Sequence, residues 1–402
     1  MRLYRIDLHP QRVKEIFKNI GVDKRAWHLM YPKSQVYTFL VKGVPAFIGN
    51  ILKQEMLSLG ADAAVPRQAL MEPFKKIDLL LIGTLKHYEY LFKKLKDQPL
   101  ILVRELVSSL KENIDLSPLR LWKAGRYTLD LKKPIMMGIL NLTPDSFSGD
   151  GLLKEAGGSA KKIVSIALKR TEYLIRAGCK IIDIGAESTR PGAKSVSGKE
   201  ELKRLMGVLK GILKRFNIPV SVDTYKPSVA KAVLDEGASI INDIKGLRDK
   251  KMLQVLSKSN AGAVIMHMKG TPRTMQKNPY YQDLIPDIID FLRKRIKDAQ
   301  DNGIKRERLV VDPGIGFGKT PQDNYKILRY IEEFQVLKRP VLLGVSRKSF
   351  LGYILKNEVS QRLIGTVASC CWAVSKGVKI LRVHDPKEIS QALKIMQAIN
   401  DA

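Results

Sequence analysis

Residues 134–151 read PIMMGILNLTPDSFSGDG. The opening PIMMGIL is apolar and uncharged, long enough for one buried strand and too short for an ordinary helix. From Asn141 the character changes: Thr143, Asp145, Ser146 and Ser148 follow, with Pro144 and Gly149 as loop punctuation. A buried strand that ends in a polar loop is how a parallel α/β protein brings chemistry to its surface. The pattern recurs, with strands expected at 134–140, 180–185, 219–223, 239–242, 262–268, 309–312, 340–346 and 379–384. Helical segments lie between them, for example 158–177, 199–216, 226–236, 281–302, 322–334 and 386–400. Eight strand–helix units in about 270 residues is the arithmetic of a (β/α)8 TIM barrel. A doubly wound open sheet would more often carry a glycine-rich phosphate turn after its first strand, and none is present. The expected fold is therefore α/β, a (β/α)8 barrel over 130–402 preceded by a small N-terminal α/β domain over 1–125.

In the N-terminal part, RLYRIDL, QVYTFLVKGV and KKIDLLLIGT read as strands. Helices are expected in HPQRVKEIFKNIGV, PAFIGNILKQEMLSLGA, LKHYEYLFKKLKDQP and LILVRELVSSLKEN, with Gly21 and Gly60 as stops. No phosphate loop, paired carboxylate or nucleophile set stands here, and His87 beside Tyr88 and Tyr90 fits an ordinary helix face. The segment DLSPLRLWKAGRYTLDLKK reads as the linker that holds the boundary.

The net charge of +30 divides as +9 over residues 1–130 and +21 over the remainder, nearly equal per residue. Lysines alternate with apolar residues at helical spacing, as in KKIVSIALKR from Lys161, so the excess reads as solvated helix faces that attract anionic substrates. No nucleic-acid partner is expected. No apolar run approaches the roughly 18–20 residues of a membrane span, and MRLYRIDLHP lacks a signal-peptide core, so a cytoplasmic location and no membrane partner are expected. Cys179, Cys370 and Cys371 offer no metal-type spacing and read as small core residues.

Barrel enzymes place their chemistry at the C-terminal ends of the strands. Those ends carry Asn141, Asp183 with ESTRPG behind it, Asp223, Asn242, His267, Asp312, Ser346 with Arg347 and Lys348, and Arg382 with His384. Strand ends are polar in any protein, but Asp, Asn and Arg are poor strand formers and costly to converge in one crater without a polar ligand. Asp183, Asp223, Asn242 and Asp312, with Lys348, suit a flat heterocycle rich in N–H groups. Arg190, Arg382 and His384, with the helix start at DPKEI, suit an anion. The two halves together suggest transfer from a diphosphate ester.

NLTPDSFS, IIDIGAESTRPGA, SVDTYKP, IINDI, DPGIGFGKT, GVSRKSFLG and RVHD resemble the signature segments of the dihydropteroate synthase family, in order and spacing across residues 134–400. The resemblance implies a (β/α)8 barrel that joins 6-hydroxymethyl-7,8-dihydropterin diphosphate to 4-aminobenzoate in folate synthesis, releasing diphosphate. It implies pterin contacts from Asp223, Asn242, Met266, Asp312 and Lys348, and diphosphate contacts from Asn141, Arg382 and His384. Asn141 would also hold Mg2+. Phe147, Thr189, Arg190, Pro191, Phe317 and Ser346 would shape the aminobenzoate site, and Asp145, Thr189, Arg190 and Lys348 would serve catalysis. A homodimer is likewise implied, and the loops 142–157 and 188–198 are expected to close over the reactants. One departure stands out: the family reads SFSDGG, whereas here Ser148 is followed by Gly149, Asp150 and Gly151. A pterin-binding methyltransferase barrel would share the Asp and Asn contacts but has no need of Arg382, His384, Lys348 and STRPG. A non-catalytic pterin carrier would have eroded these same residues.

Overall fold

The structure, a computed structural model, describes residues 3–4, 10–114, 119–143, 159–188, 195–271, 274–275 and 277–401. The chain divides into two units, Met1–Leu116 and Ser117–Ala402.

In the first unit, β1 (Val36–Pro45), β2 (Asp62–Ala64) and β3 (Lys76–Thr84) form an antiparallel sheet in the order β1-β3-β2. Along β3, Ile77, Leu79 and Leu81 are buried while Lys76 and Asp78 are exposed, so the period of two turns one face inward. Helices Ala46–Ser58, Leu85–Lys94 and Ile101–Ile114 supply Leu52, Met56, Tyr88, Leu91, Val103 and Val107 to the same core. Thr84 and His87 cap the Leu85 helix reciprocally: the His87 amide donates to Thr84 Oγ1 (3.4 Å) and the Thr84 amide to His87 Nδ1 (3.2 Å). His87 is thus a capping residue. Helix Trp27–Ser34, which contains Pro32, and the short β2 have no counterpart in the sequence reading. The strand expected in RLYRIDL lies mostly outside the described residues, and Leu3 and Tyr4 belong to no regular element.

The second unit begins with a hairpin, β4 (Leu121–Ala124) and β5 (Tyr127–Asp130), in the stretch read as a linker. Gly125 makes its turn at φ +62°, where a side chain would be strained. Eight parallel strands follow: β6 (Ile135–Asn141), β7 (Cys179–Gly185), β8 (Val220–Asp223), β9 (Ile240–Asp243), β10 (Gly262–Met266), β11 (Leu309–Asp312), β12 (Leu342–Leu343) and β13 (Ile380–Val383). Their order, β11-β10-β9-β8-β7-β6-β13-β12, is closed by the Val311–Val341 bridge and the Val311 amide on Pro340 O (3.0 Å). This is the expected (β/α)8 barrel. All eight strand segments were legible in the sequence, whereas helix Lys250–Ser257 was not singled out there.

Residues two apart on a strand share a face, so each strand puts two layers inside the barrel. The lower layer is apolar: Met137, Ile181, Ile240, Val264, Val310 and Ile380 are all buried in one cluster. Trp122 of the hairpin closes this layer from below, fully buried, with Nε1 donating to Arg308 O (3.0 Å). Gly262 opens β10 where a Cβ would stand 3.0 Å from Trp122 Nε1, so a side chain there would crowd the indole. Among the described residues no helix is long and apolar enough to cross a membrane. Trp122→Ala is expected to cost about 3–5 kcal/mol, read as a lower urea midpoint of the full chain; a loss under ~1 kcal/mol would show that the hairpin does not seal the barrel floor.

Candidate active site

The residue two positions after each lower-layer residue starts the crater. Ile181 leads to Asp183, Ile240 to Asn242, Val264 to Met266, Val310 to Asp312 and Ile380 to Arg382. On β8 the corresponding pair is Ser221 and Asp223. The same pleat that makes the floor dry therefore makes the layer above it polar.

At its centre lies the Arg382 guanidinium. Nε donates to Asp183 Oδ2 (2.7 Å) and Nη2 to Asp223 Oδ2 (3.0 Å). Asn242 Nδ2 donates to the same Asp183 oxygen at 3.4 Å. Asp183 is wholly buried, and burial drives the Asp223 carboxyl up to about 7, with Arg382 pulling it down and Asp183 pushing it further up. Asp183 Oδ1, Ser221 Oγ and Asn242 Oδ1 are buried and make no hydrogen bond among the described residues. They lie on adjacent strands, Asp183 opposite Ser221 and Asp223 opposite Asn242. Such a concentration of unsatisfied polar atoms marks a place built for a polar ligand.

Across the barrel, Asp312 Oδ1 accepts from the Gly314 amide (2.7 Å). Burial raises this carboxyl, opposed by Lys348. Burial in turn lowers the Lys348 ammonium to about 8, with Asp312 holding it up and Arg382 pushing it down. Lys348 Nζ donates to Ile315 O and lies 4.8 Å from the Phe317 ring centroid. Phe317 packs with Met266, Met268, Met275, Ile244 and Tyr225 in an apolar wall. A flat ring could thus meet carboxylates and amides at its edge and methionine on its face.

His384 and Ser346 stand together, with Nδ1 and Oγ 3.0 Å apart and the His384 amide donating to Ser346 Oγ (3.3 Å). Arg347, at φ +57°, turns its guanidinium to Asp385 (Nε to Oδ2, 2.9 Å) at the start of the helix Pro386–Asp401. Asn141 ends β6 opposite Gly185. Gly185 lies beside both groups: a Cβ there would make ordinary contacts with Asp223 Cβ (3.5 Å) and Asn141 Oδ1 (4.0 Å).

The structure brings together Asn141, Asp223, Asn242, Met266, Asp312, Phe317, Ser346, Lys348, Arg382 and His384 at the strand ends. Asp145, Phe147, Thr189, Arg190 and Pro191 lie outside the described residues, as do Asp150 and most of the two loops expected to close. His267, which also ends a strand, takes a different place. Its ring is buried edge-on to Phe291 (5.0 Å between centroids), with Nδ1 2.8 Å from Lys319 Nζ. Lys319 was missed because a lysine in GFGKT reads as solvent-facing. Also missed was the pairing of Lys226 Nζ with both Glu187 and the fully buried Glu201, backed by Tyr225 OH on Glu187 (3.0 Å). The only sequence signal for it was a Lys and a Glu inside SVDTYKP and GAESTRPG.

A family model described as pterin binding enzyme matches residues 137–384. The dihydropteroate synthase of Haemophilus influenzae is 44% identical over 279 residues, which cover 69% of this chain and 98% of the relative. The chain belongs to the dihydropteroate synthase family. Two solved synthases share its fold. That of Yersinia pestis, with a sulfonamide drug complex, is 40% identical at a TM-score of 0.66 and covers 70% of this chain and 100% of its own. That of Thermus thermophilus, in complex with 4-aminobenzoate, is 37% identical at a TM-score of 0.62, covering 70% and 100%. The chain is accordingly an enzyme of the dihydropteroate synthase type, which condenses 6-hydroxymethyl-7,8-dihydropterin diphosphate with 4-aminobenzoate to give 7,8-dihydropteroate and diphosphate.

The synthase crater carries a stability cost that can be measured. The folded Asp223 carboxyl titrates at about 7, whereas an unfolded aspartate titrates near 3.9. Between these values the folded state holds a proton that the unfolded chain has lost, so stability falls as pH rises through the window. Asp223→Asn leaves Asp183 on Arg382 and is expected to stabilise the protein by at least ~1 kcal/mol at pH 8, the gain vanishing towards pH 4. Urea midpoints at both pH values check it; a variant equally or less stable at pH 8 would refute the stated cost.

Proposed function

We propose that this synthase binds the dihydropterin ring between Asp223, Asn242, Asp312 and Lys348, with Met266 against its face. The observation that carries the reading is the Arg382 fork, held by Asp183 and Asp223 on the crater floor with Asp312 and Lys348 facing it. The carboxylates would accept the ring's N–H groups, and the unsatisfied atoms of Asp183, Ser221 and Asn242 would offer further partners. The diphosphate would lie towards Asn141, Arg382 and His384. The arylamine would enter between Phe317 and Ser346, with Phe147, Thr189, Arg190 and Pro191 completing its pocket from the loops. Asp145, Thr189, Arg190 and Lys348 are the residues we assign to catalysis.

Asn141 offers a hard oxygen at the crater mouth, and no group of three or more His, Cys, Asp or Glu that could cage a metal occurs among the described residues. Mg2+ uses few protein oxygens and completes its shell with water and phosphate. The donor set therefore fits a magnesium ion that arrives with the diphosphate and is held on the protein side by Asn141. When bound, the ion would neutralise charge on the departing diphosphate.

In the reaction the C–O bond between the pterin methylene and the diphosphate breaks, and its electron pair leaves with the diphosphate. Arg382 and His384 stabilise that charge, and the Asp223 and Asp312 carboxylates favour the electron-poor pterin that remains. The amine nitrogen then forms the new C–N bond and loses a proton. A homodimer is carried over from the family resemblance, with the exposed Ile364 and Trp372 of helix Leu363–Ser375 as apolar surface a second copy would cover. A cytoplasmic location, expected from the sequence, is proposed with it.

A diphosphate-release assay tests the assignments. Turnover should require magnesium and stop on chelation, and Arg382→Ala and Asp223→Ala should each lower kcat/KM by about 100-fold or more. kcat/KM for the pterin diphosphate should climb as pH passes about 7, where Asp223 ionises, and decline above about 8, where Lys348 loses its proton. Full activity in both variants, or turnover insensitive to chelation, would overturn this placement.

A further inference from the structure

The loop after β11, residues 313–320, lies pressed against the segment after β10. Gly314 and Gly318 adopt φ +72° and +68°, and a Cβ at either would collide with His267 O (1.9 Å) or Lys269 O (2.5 Å). Only glycine allows so close a contact. Tyr281 OH adds a hydrogen bond to Gly318 O (2.7 Å).

Lys319 is buried at the join, 2% exposed. Its Nζ contacts His267 Nδ1 (2.8 Å), Phe317 O (3.1 Å) and His267 O (3.5 Å). Among the described residues no carboxylate forms a salt bridge with this amine; Asp312 and, more weakly, Asp323 act on it at longer range. A buried amine without a contact ion pair is an expensive way to fill space, and an isosteric apolar side chain would fill it at lower cost. What the amine adds is direction, since its donors reach acceptors on both segments. With Lys319 as donor, His267 Nδ1 accepts, which requires a neutral ring with its proton on Nε2. Burial and the nearby Lys319, Arg248 and Lys269 favour that neutral form.

We infer that Lys319 and His267 are positioning residues for the arylamine: together they staple the loop that carries Phe317 to the end of β10, fixing Phe317 beside Lys348. The inference rests on the proposal that Phe317 lines the arylamine pocket. Lys348 holds the same loop through Ile315 O, so two amines grip the carbonyls of Ile315 and Phe317, on either side of Gly316. Releasing the Lys319 grip frees the Phe317 side while the Asp312 and Lys348 contacts to the pterin stay in place.

Steady-state kinetics on the full chain test this, with affinity for the pterin diphosphate measured separately by direct binding. Lys319→Met and His267→Leu should raise KM for 4-aminobenzoate by about tenfold or more, with kcat at saturating amine and pterin diphosphate affinity changed by less than about threefold. His267→Asn, which keeps an acceptor close to the Nδ1 position, should retain most of the wild-type KM. Phe317→Ala should likewise raise KM for 4-aminobenzoate, and adding Lys319→Met to it should raise KM little further, because both act through one ring. An unchanged KM in Lys319→Met, equal losses for both substrates, or full additivity with Phe317→Ala would overturn the staple. An unchanged KM in Phe317→Ala beside normal wild-type turnover would instead overturn the placement of the arylamine, and the staple's role with it.

Discussion

One guanidinium between two buried carboxylates organises the crater. Asp183 and Asp223 point inward from neighbouring strands above an apolar floor, where two anions without a partner would be untenable. Arg382 reaches both with separate nitrogens, which a lysine ammonium on one stem could not match in geometry. One positive charge stands against two carboxylates, and burial raises the Asp223 carboxyl, with Arg382 pulling it down and Asp183 pushing it further up. The proposed ligand, rich in N–H groups, would supply further donors here. On the proposed placement, the ring's N–H groups would meet the acceptors that the crater's own side chains leave unsatisfied.

The barrel tolerates this because its two inner layers are separated. Trp122 and the aliphatic ring of Ile181, Ile240, Val264, Val310 and Ile380 exclude water below the carboxylates. That dry floor supports the stability of the unit and also lowers the local dielectric, which strengthens each interaction above it. The same layer explains why Lys348 and Asp312, across the barrel, move each other's protonation in opposite directions to burial. Floor and crater come from one alternation, two residues apart on each strand.

Much of this was legible in the sequence for a physical reason. A strand of fixed period that ends in Asp, Asn or Arg announces which side chains face the crater, so Asn141, Asp223, Asn242, Asp312 and Arg382 could be named from position alone. What could not be read was pairing across the barrel. Nothing in the spacing of Asp183, Asp223 and Arg382 says that one fork joins all three, because the joining distance is set by barrel curvature. The hairpin of Trp122 was hidden for another reason: two strands of four residues, LWKA and YTLD, interrupted by Lys123, Gly125 and Arg126, carry no apolar run, and the segment reads as a linker. Lys319 and the Lys226 cluster were hidden because burial of a lysine depends on acceptors brought from distant segments.

The protonation of Asp223 tests the account most directly. Its side-chain carboxyl carbon can be followed by 13C NMR through a pH titration, in the unliganded wild type and in Arg382→Met. The expected midpoint is about 7 in the wild type and higher in the variant, which loses the Arg382 guanidinium in contact with the carboxylate. A midpoint near the ordinary aspartate value of about 4 in both proteins would show that the crater is not held by this charge arrangement.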